Sequence, residues 1–208
     1  MNTYYHATDE AKLSLISTEE VTVEKKKNAY IFKPSVYEMG IIFYPGAKVE
    51  ASAYAPLLHM LAQNGILCIL CEMPFRLAVL NINAAKHFYS QYEIKKWYLA
   101  GHSLGGAMAS SYLSKHSNTF EGLILLAAYS TSDISNLNLE VFSIYGENDQ
   151  VLDKKKYEKN LTKLHKDFKE FQIDGGCHAY FGNYGKQLKD GEPTISNLEQ
   201  IKITVDYL

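Results

Sequence analysis

Cysteine, proline and long apolar runs are scarce in this sequence, and each scarcity excludes a class of protein. The chain has 3 cysteines and 5 prolines in 208 residues. Three cysteines cannot build the disulfide framework of a small secreted domain, which favours a reducing compartment. No apolar run approaches the roughly 20 residues that span a bilayer. Residues 1–15 mix polar and charged side chains and carry no secretory signal, so we expect a cytoplasmic protein without a membrane partner.

An excess of charge of one sign is missing as well. The 21 basic and 23 acidic residues leave a net charge of −2. Nucleic-acid-binding surfaces need a basic excess, so we expect no nucleic-acid partner. The sequence also has no closely spaced His and Asp cluster, no Gly-Lys-Ser/Thr loop and no G-x-G-x-x-G pattern. We therefore expect neither a metal nor a cofactor, while the oligomeric state stays open.

What the sequence does contain is a regular alternation of short apolar runs with amphipathic stretches. The hydrophobic fraction is 47%, enough for the core of one domain spanning residues 1–208. Eight runs predict strands, at Val21–Glu24, Ala29–Lys33, Ile41–Tyr44, Ile66–Cys71, Trp97–Ala100, Gly122–Leu126, Val141–Tyr145 and Phe168–Ile173. Five stretches predict helices, at Ala51–Asn64, Asn81–Gln91, Leu104–Ser114, Lys154–Leu164 and Ser196–Tyr207. This alternation predicts an α/β fold: a three-layer α/β/α sandwich with helices on both faces of a mostly parallel sheet of about eight strands, the first two forming an antiparallel hairpin at one edge.

The strongest local motif is the G-x-S-x-G pattern around Ser103, which reads Gly-His-Ser-Leu-Gly-Gly from Gly101 to Gly106. It follows an apolar strand and precedes a helix rich in small residues, which is the setting that a nucleophile on a tight strand-to-helix turn requires. Glycines beside the turn avoid collisions between strand and helix, and the free N–H groups of the helix start favour developing negative charge. The pattern predicts Ser103 as the nucleophile.

A serine hydroxyl needs a base to remove its proton, and the base needs an orienting acid. On this type of fold the partners follow in the chain order serine, acid, histidine. Asp149 lies just past the seventh strand, with Glu147 and Asp153 as rivals for the acid. His178 lies just past the last strand, whereas His165 precedes that strand and lies at the wrong edge. We therefore predict Asp149 as the acid and His178 as the base; the earlier histidines, including the neighbour of the serine, are expected in core or surface roles.

Two backbone donors are needed for the oxyanion of an acyl-transfer reaction. The N–H of Leu104, directly after the nucleophile, is one candidate. The N–H of Ala47, in the glycine-containing loop after the third strand, is our preferred second donor. Nearby, Lys48 could bind an anionic substrate or could simply be solvated. Aromatic side chains at the strand ends are candidates for a substrate pocket, namely Tyr44, Phe75, Tyr129, Tyr180, Phe181 and Tyr184.

Four blocks of the sequence carry a family resemblance: Phe43–Val49, Met73–Phe75, Gly101–Gly106 and Gly175–Gly185. Through them the chain resembles the α/β-hydrolase superfamily along nearly its whole length, and most closely a compact bacterial subgroup near the dienelactone-hydrolase-like proteins. The resemblance implies the triad Ser103, Asp149 and His178, in agreement with the order argument. Dienelactone hydrolases use a cysteine nucleophile where this chain has serine, and the oxyanion loop reads Pro-Gly where many relatives have His-Gly. Some relatives carry an N-terminal membrane anchor, which is not expected here.

The function that these patterns predict is hydrolysis of a small-molecule carboxylic ester through an acyl-enzyme. The segment between the sixth and seventh strands is short, where larger relatives insert a cap, so small soluble substrates are expected. Two alternatives remain open. An alcohol or amine could replace water, which would make the protein an acyltransferase, or the chain could be a non-catalytic binding protein on a hydrolase scaffold.

Overall fold

Eight strands form one sheet in the computed structural model, which describes residues 4–208. The strands are β1 (Val21–Lys26), β2 (Ala29–Pro34), β3 (Met39–Tyr44), β4 (Ile66–Cys71), β5 (Lys96–His102), β6 (Gly122–Leu126), β7 (Glu140–Gly146) and β8 (Lys169–Ile173). Their order across the sheet is β1-β2-β4-β3-β5-β6-β7-β8. The pairs β1–β2 and β2–β4 are antiparallel, and all the others are parallel. The mostly parallel sheet and its edge hairpin are therefore confirmed.

Helices cover both faces of this sheet, as the alternating pattern predicts. They are α1 (Asp9–Leu13), α2 (Ala55–Gln63), α3 (Leu104–His116), α4 (Lys154–Asn160) and α5 (Asn197–Asp206). The predicted helix from Ala51 begins with a 3₁₀ turn, Ala51–Tyr54, before α2. Helix α1 was not predicted from the sequence; the side chain of Thr8 caps it by accepting a hydrogen bond from the Ala11 N–H.

The predicted helix Asn81–Gln91 is wrong. The chain instead makes three short 3₁₀ turns, Ala78–Asn81, Ala84–His87 and Tyr89–Gln91. The physical reason is a tertiary contact: the Tyr44 hydroxyl donates to the Ile82 carbonyl at 2.7 Å and accepts from the Ala85 N–H at 2.8 Å. An α-helix needs both backbone groups for its own i to i+4 bonds, so this side chain replaces the helical pattern.

The two faces of the sheet carry separate cores because successive side chains of a strand point in opposite directions. In β3, Ile41 and Phe43 belong to the core under α2 and α5, and Ile42 and Tyr44 belong to the core under α3. Within residues 4–208, no helix combines the length and the apolar character that crossing a bilayer requires.

The parallel strands bring the predicted site residues to one edge of the sheet. Strands β3, β5, β7 and β8 all end there, and the loops that follow them carry Ala47, Ser103, Asp149 and His178, respectively. The segment between β6 and β7, residues 127–139, contains neither a helix nor a strand, so no cap covers this edge. The fold thus leaves the edge open to a ligand.

Candidate active site

Ser103 lies on a strained turn between β5 and α3. Its φ of 52° and ψ of −121° are unusual for a residue with a side chain. The turn is possible because its neighbours have no Cβ. A Cβ at Gly101 would lie 2.4 Å from the Gly105 carbonyl carbon, and a Cβ at Gly105 would lie 2.1 Å from the Tyr44 carbonyl oxygen. The glycines of the motif therefore serve close packing of β5, α3 and the end of β3.

Asp149 and His178 form a buried pair. The Nδ1 atom of His178 lies 2.8 Å from the Oδ2 atom of Asp149, and both residues are at most 2% exposed. The other oxygen of Asp149 accepts hydrogen bonds from the Val151 and Leu152 N–H groups, each at 2.8 Å. The carboxylate is thus fixed by backbone donors on one side and orients the imidazole on the other.

The rival acids and the rival histidine have other partners. Glu147 accepts a hydrogen bond from the Gly175 N–H at 2.9 Å. Asp153 caps α4 through the Lys156 N–H. His165 lies beside the exposed Asp167, at 3.8 Å. Among the three carboxylates that the sequence offers, the structure brings Asp149 into contact with the His178 side chain.

Ser103 and His178 both line a cavity of about 390 Å³ at the open edge of the sheet. In the described part of the chain, neither Ser103 Oγ nor His178 Nε2 makes a hydrogen bond to protein, so both groups are available to a ligand. No Ser103–His178 hydrogen bond is formed; such bonds are often long before substrate binds. The remaining lining residues are Leu104, Ala107, Met108, Ala127, Ala128, Tyr129, Thr131, Val151, Leu152, Asp153 and Lys156.

The two predicted oxyanion donors have free N–H groups. Within residues 4–208, neither the Leu104 N–H nor the Ala47 N–H has a protein acceptor. The N–H groups on either side of Ala47 are both engaged: Gly46 donates to the Tyr54 hydroxyl at 3.1 Å, and Lys48 donates to the Arg76 carbonyl at 2.9 Å. In this loop, Ala47 therefore has the one N–H without a protein partner, and Ala47 is not among the residues that line the cavity of Ser103 and His178.

A buried tyrosine and a buried histidine support this loop, and no sequence pattern predicted their pairing. The Tyr54 hydroxyl lies 2.8 Å from His102 Nδ1 and accepts from the Gly46 N–H. Since that bond uses the oxygen as acceptor, the hydroxyl proton is available for Nδ1. The ring centroids of His102 and His178 are 4.5 Å apart. Burial, reinforced by the neighbouring His178, lowers the pKa of His102 well below its usual value, so this imidazole is neutral at pH 7.

Tyr44 and Phe181 are corrections to the predicted pocket. Both side chains are fully buried, at 0% exposure. Tyr44 points into the core on the α3 face, where its hydroxyl is used by the 3₁₀ turns described above. Phe181 packs in the opposite core, with its ring 5.8 Å from that of His102. The position of an aromatic residue at a strand end did not predict whether its ring would face the cavity or the core.

The cavity lining also leaves out Phe75, Lys48, Tyr180 and Tyr184. Phe75 is 79% exposed and borders a separate surface depression beside Pro45. Lys48 lies on a turn with a φ of 61° and is exposed, in agreement with the alternative that it is simply solvated. Tyr180 is half-buried, and Tyr184 packs in the core under α2. Of the predicted aromatics, Tyr129 alone lines the cavity.

Three lining residues come from one face of α3. Leu104, Ala107 and Met108 are spaced three and four residues apart, which places them on the same side of a helix. That spacing was visible in the sequence and could have identified this wall. The other walls come from Ala127–Thr131, after β6, and from Val151–Lys156, after β7. These two segments lie beside the cavity because β6 and β7 are neighbours in the sheet.

The backbone before His178 is held by a buried amide. The Gln200 side chain accepts from the Cys177 N–H at 2.9 Å and donates to the Cys177 carbonyl at 2.8 Å. Burial raises the pKa of the Cys177 thiol to about 12, so this cysteine stays protonated and is a poor nucleophile. Among residues 4–208, no three His, Cys, Asp or Glu side chains converge as metal ligands would.

Comparison with known proteins agrees with the fold. A family model described as the alpha/beta hydrolase family matches residues 40–202. No curated protein sequence matches the chain. Among solved structures, TT1662 from Thermus thermophilus is similar with a TM-score of 0.66 at 13% identity, covering 90% of this chain and 96% of its own. A predicted CIB-like hydrolase from Thermoplasma acidophilum has a TM-score of 0.61 at 13% identity, covering 90% and 96%. MGS-MChE2, an alpha/beta hydrolase enzyme from a lagoon-sediment metagenome of Mar Chica, Morocco, has a TM-score of 0.65 at 14% identity, covering 89% and 97%.

Proposed function

Because the chain belongs to the alpha/beta hydrolase family, we propose that it is a serine hydrolase that cleaves small carboxylic esters. Ser103 acts as the nucleophile, His178 as the general base and Asp149 as the orienting acid. The observation that carries the proposal is the buried Asp149–His178 pair at 2.8 Å, whose imidazole shares a cavity with a serine on a strained turn.

In the first half of the reaction, Ser103 Oγ attacks the ester carbonyl carbon and His178 takes the hydroxyl proton. Asp149 accepts the Nδ1–H of His178 and stabilises the imidazolium. The Leu104 and Ala47 N–H groups donate to the oxyanion, and loss of one such donor costs about 2.7–4 kcal/mol of transition-state stabilisation. His178 then passes its proton to the leaving alcohol.

The second half hydrolyses the acyl-enzyme. A water molecule in the cavity gives a proton to His178 and attacks the acyl carbon, and the same two donors hold the second oxyanion. Collapse of that intermediate breaks the bond to Ser103 Oγ, which takes the proton back from His178. The open edge without a cap favours small acyl groups, because long chains would extend beyond the walls into water.

The test is labelling with a fluorophosphonate probe, followed by intact mass measurement. The wild type should gain one adduct, and Ser103→Ala should gain none and lose ester turnover while keeping its circular dichroism spectrum. Ser114→Ala, at the other end of α3, is the matched control and should behave as wild type. A Ser103→Ala variant that keeps turnover would exclude the mechanism, and an unreactive wild type would indicate a binding protein. Ester products formed in added alcohol would indicate acyl transfer.

A further inference from the structure

The side chain of Asp190 binds the backbone of the proposed base. Its Oδ1 atom accepts from the His178 N–H at 3.2 Å, and its Oδ2 atom accepts from the Ala179 N–H at 2.8 Å. The same Oδ1 atom lies 3.4 Å from the N–H of Gln150, the residue that follows Asp149. One carboxylate therefore contacts both the loop that carries the acid and the loop that carries the base.

We propose that Asp190 is a positioning residue for the reaction described above: it holds the His178 loop against the Asp149 loop and keeps the imidazole aligned with its acid. The inference rests on the proposed serine-hydrolase function. Asp190 acts through His178 and does not line the cavity, so it has no direct contact with the reacting atoms.

The backbone on either side of Asp190 holds this carboxylate close to both loops. Lys189 has a φ of 68°, which is uncommon for a residue with a side chain. A Cβ at Gly191 would lie 1.8 Å from the Asn148 carbonyl oxygen, so the segment is pressed onto the acid loop. The Gly191 N–H also donates to Asp190 Oδ1, at 2.9 Å. The segment thus contacts the acid loop through its backbone at Gly191 as well as through the Asp190 side chain, and it contacts the base loop through that side chain.

A carboxylate suits this position better than any neutral side chain. All the bonds that Asp190 makes here use it as an acceptor from an N–H group. Asparagine has one acceptor oxygen and an NH₂ group. In its place the NH₂ group would face at least one of these N–H groups, so two donors would meet and the hydrogen bond would be lost. Asp190→Asn therefore removes a negative charge and at least one bond while nearly preserving the shape of the side chain.

Asp190 is one of several charged or titratable groups that lie around His178. The titratable groups around His178 are Asp149 of the acid loop, His102 at the end of β5, Asp153 and Lys156 at the start of α4, and Cys177 and Asp190. Of the carboxylates, Asp190 can be neutralised without touching the triad or the cavity.

The experiment compares Asp190→Asn with Glu192→Gln. Glu192 lies in the same segment, and its carboxylate pairs with Lys186 in solvent, both side chains being 76% exposed. Both variants remove one negative charge, and only the first loses bonds to the base loop. We expect Asp190→Asn to lower kcat by about 10- to 100-fold, as small misplacements of a catalytic group do. KM should stay within about twofold, because the cavity is unchanged. Glu192→Gln should match the wild type.

The split between kcat and KM separates positioning from a merely structural role. A lowered kcat with an unchanged KM in Asp190→Asn indicates that the base is misplaced while the cavity still binds substrate. Equal kcat in the two variants would overturn the proposal. If Asp190→Asn does not fold, Asp190→Glu is used, since it keeps the charge and displaces it by one methylene. A lowered kcat in Asp190→Glu supports the proposal, and a wild-type kcat overturns it.

A proton NMR measurement keeps this inference distinct from the proposed function. The Nδ1–H of His178, bonded to Asp149, should give a strongly downfield signal in the wild type, and this signal should broaden in Asp190→Asn but not in Glu192→Gln. If the wild type neither reacts with the probe nor turns over esters, the proposed function fails, and the NMR comparison still decides whether Asp190 positions the base. An unchanged signal in Asp190→Asn would refute the positioning role.

Discussion

The change Tyr54→Phe tests the buried support beneath the oxyanion loop. It removes a single oxygen that the Gly46 N–H and His102 Nδ1 both contact, at 3.1 and 2.8 Å. Tyr54 is fully buried, so water cannot readily replace that oxygen. Either tautomer of His102 then leaves Nδ1 without a partner, in addition to the Gly46 N–H. The variant therefore creates two unsatisfied polar groups in the core.

The expected cost follows from those two groups. Leaving a buried polar group without its partner costs about 1–3 kcal/mol, so two such groups should lower the free energy of unfolding by about 2–6 kcal/mol. For a chain of this length, 1 kcal/mol lowers Tm by about 2–4 °C, which gives a decrease of about 4–24 °C. We also expect kcat to fall, because the Gly46 peptide that precedes the proposed Ala47 donor loses its anchor.

Urea unfolding and differential scanning calorimetry measure the loss of stability, and Tyr184→Phe is the matched control. The Tyr184 hydroxyl donates to Gln187 at 2.9 Å, and Gln187 is half-buried, so water can replace the lost bond. Tyr184→Phe should therefore cost less than about 1 kcal/mol. If Tyr54→Phe is no less stable than Tyr184→Phe, the argument from unsatisfied buried groups is refuted.

Three further predictions concern the acid, the turn and the substrate. Asp149→Asn should lower kcat by about 10⁴-fold, and Glu147→Gln should change it by less than about threefold, because Asp149 and not Glu147 contacts His178; equal losses would refute this assignment. Gly105→Ala should destabilise the fold by more than about 4 kcal/mol, since its Cβ would lie 2.1 Å from the Tyr44 carbonyl oxygen, and a wild-type Tm would contradict this. Nitrophenyl acetate or butyrate should be cleaved with a higher kcat/KM than the decanoate, because each buried methylene adds about 0.8 kcal/mol only while walls surround it; a maximum at long chains would indicate a deep channel.

Much of the sheet could be predicted from the sequence, because a short run of apolar residues indicates a strand that is buried on both faces of a parallel sheet. All eight predicted strands are present, with ends that differ by a few residues. The failed helix Asn81–Gln91 shows the limit of this reasoning. Its local pattern is compatible with a helix, but the Tyr44 hydroxyl, which lies 38 positions before Ile82 and 41 before Ala85, bonds to the backbone groups that a helix would need.

The predicted pocket shows the same limit. An aromatic residue at a strand end can face the core, solvent or a cavity, and the choice depends on which strand lies beside it. The Tyr44 ring packs in the core under α3, the Phe181 ring packs in the opposite core, and the Phe75 ring is exposed to solvent. The pairing of Tyr54 with His102 joins residues 48 positions apart and has no local signal at all.

By itself, the sequence determined the tight strand-to-helix turn at Ser103, since the strand, the glycines and the serine of such a turn are neighbours in the chain and their steric requirements are local. Through their order in the chain, it also narrowed the candidates for the acid and the base to a few residues. The tertiary structure decided which carboxylate meets His178, because Asp149 and Glu147 lie two positions apart on one loop and differ in the direction of their side chains. It also decided that Asp190 binds the loop of the base, since that contact requires the chain after His178 to fold back onto the acid loop.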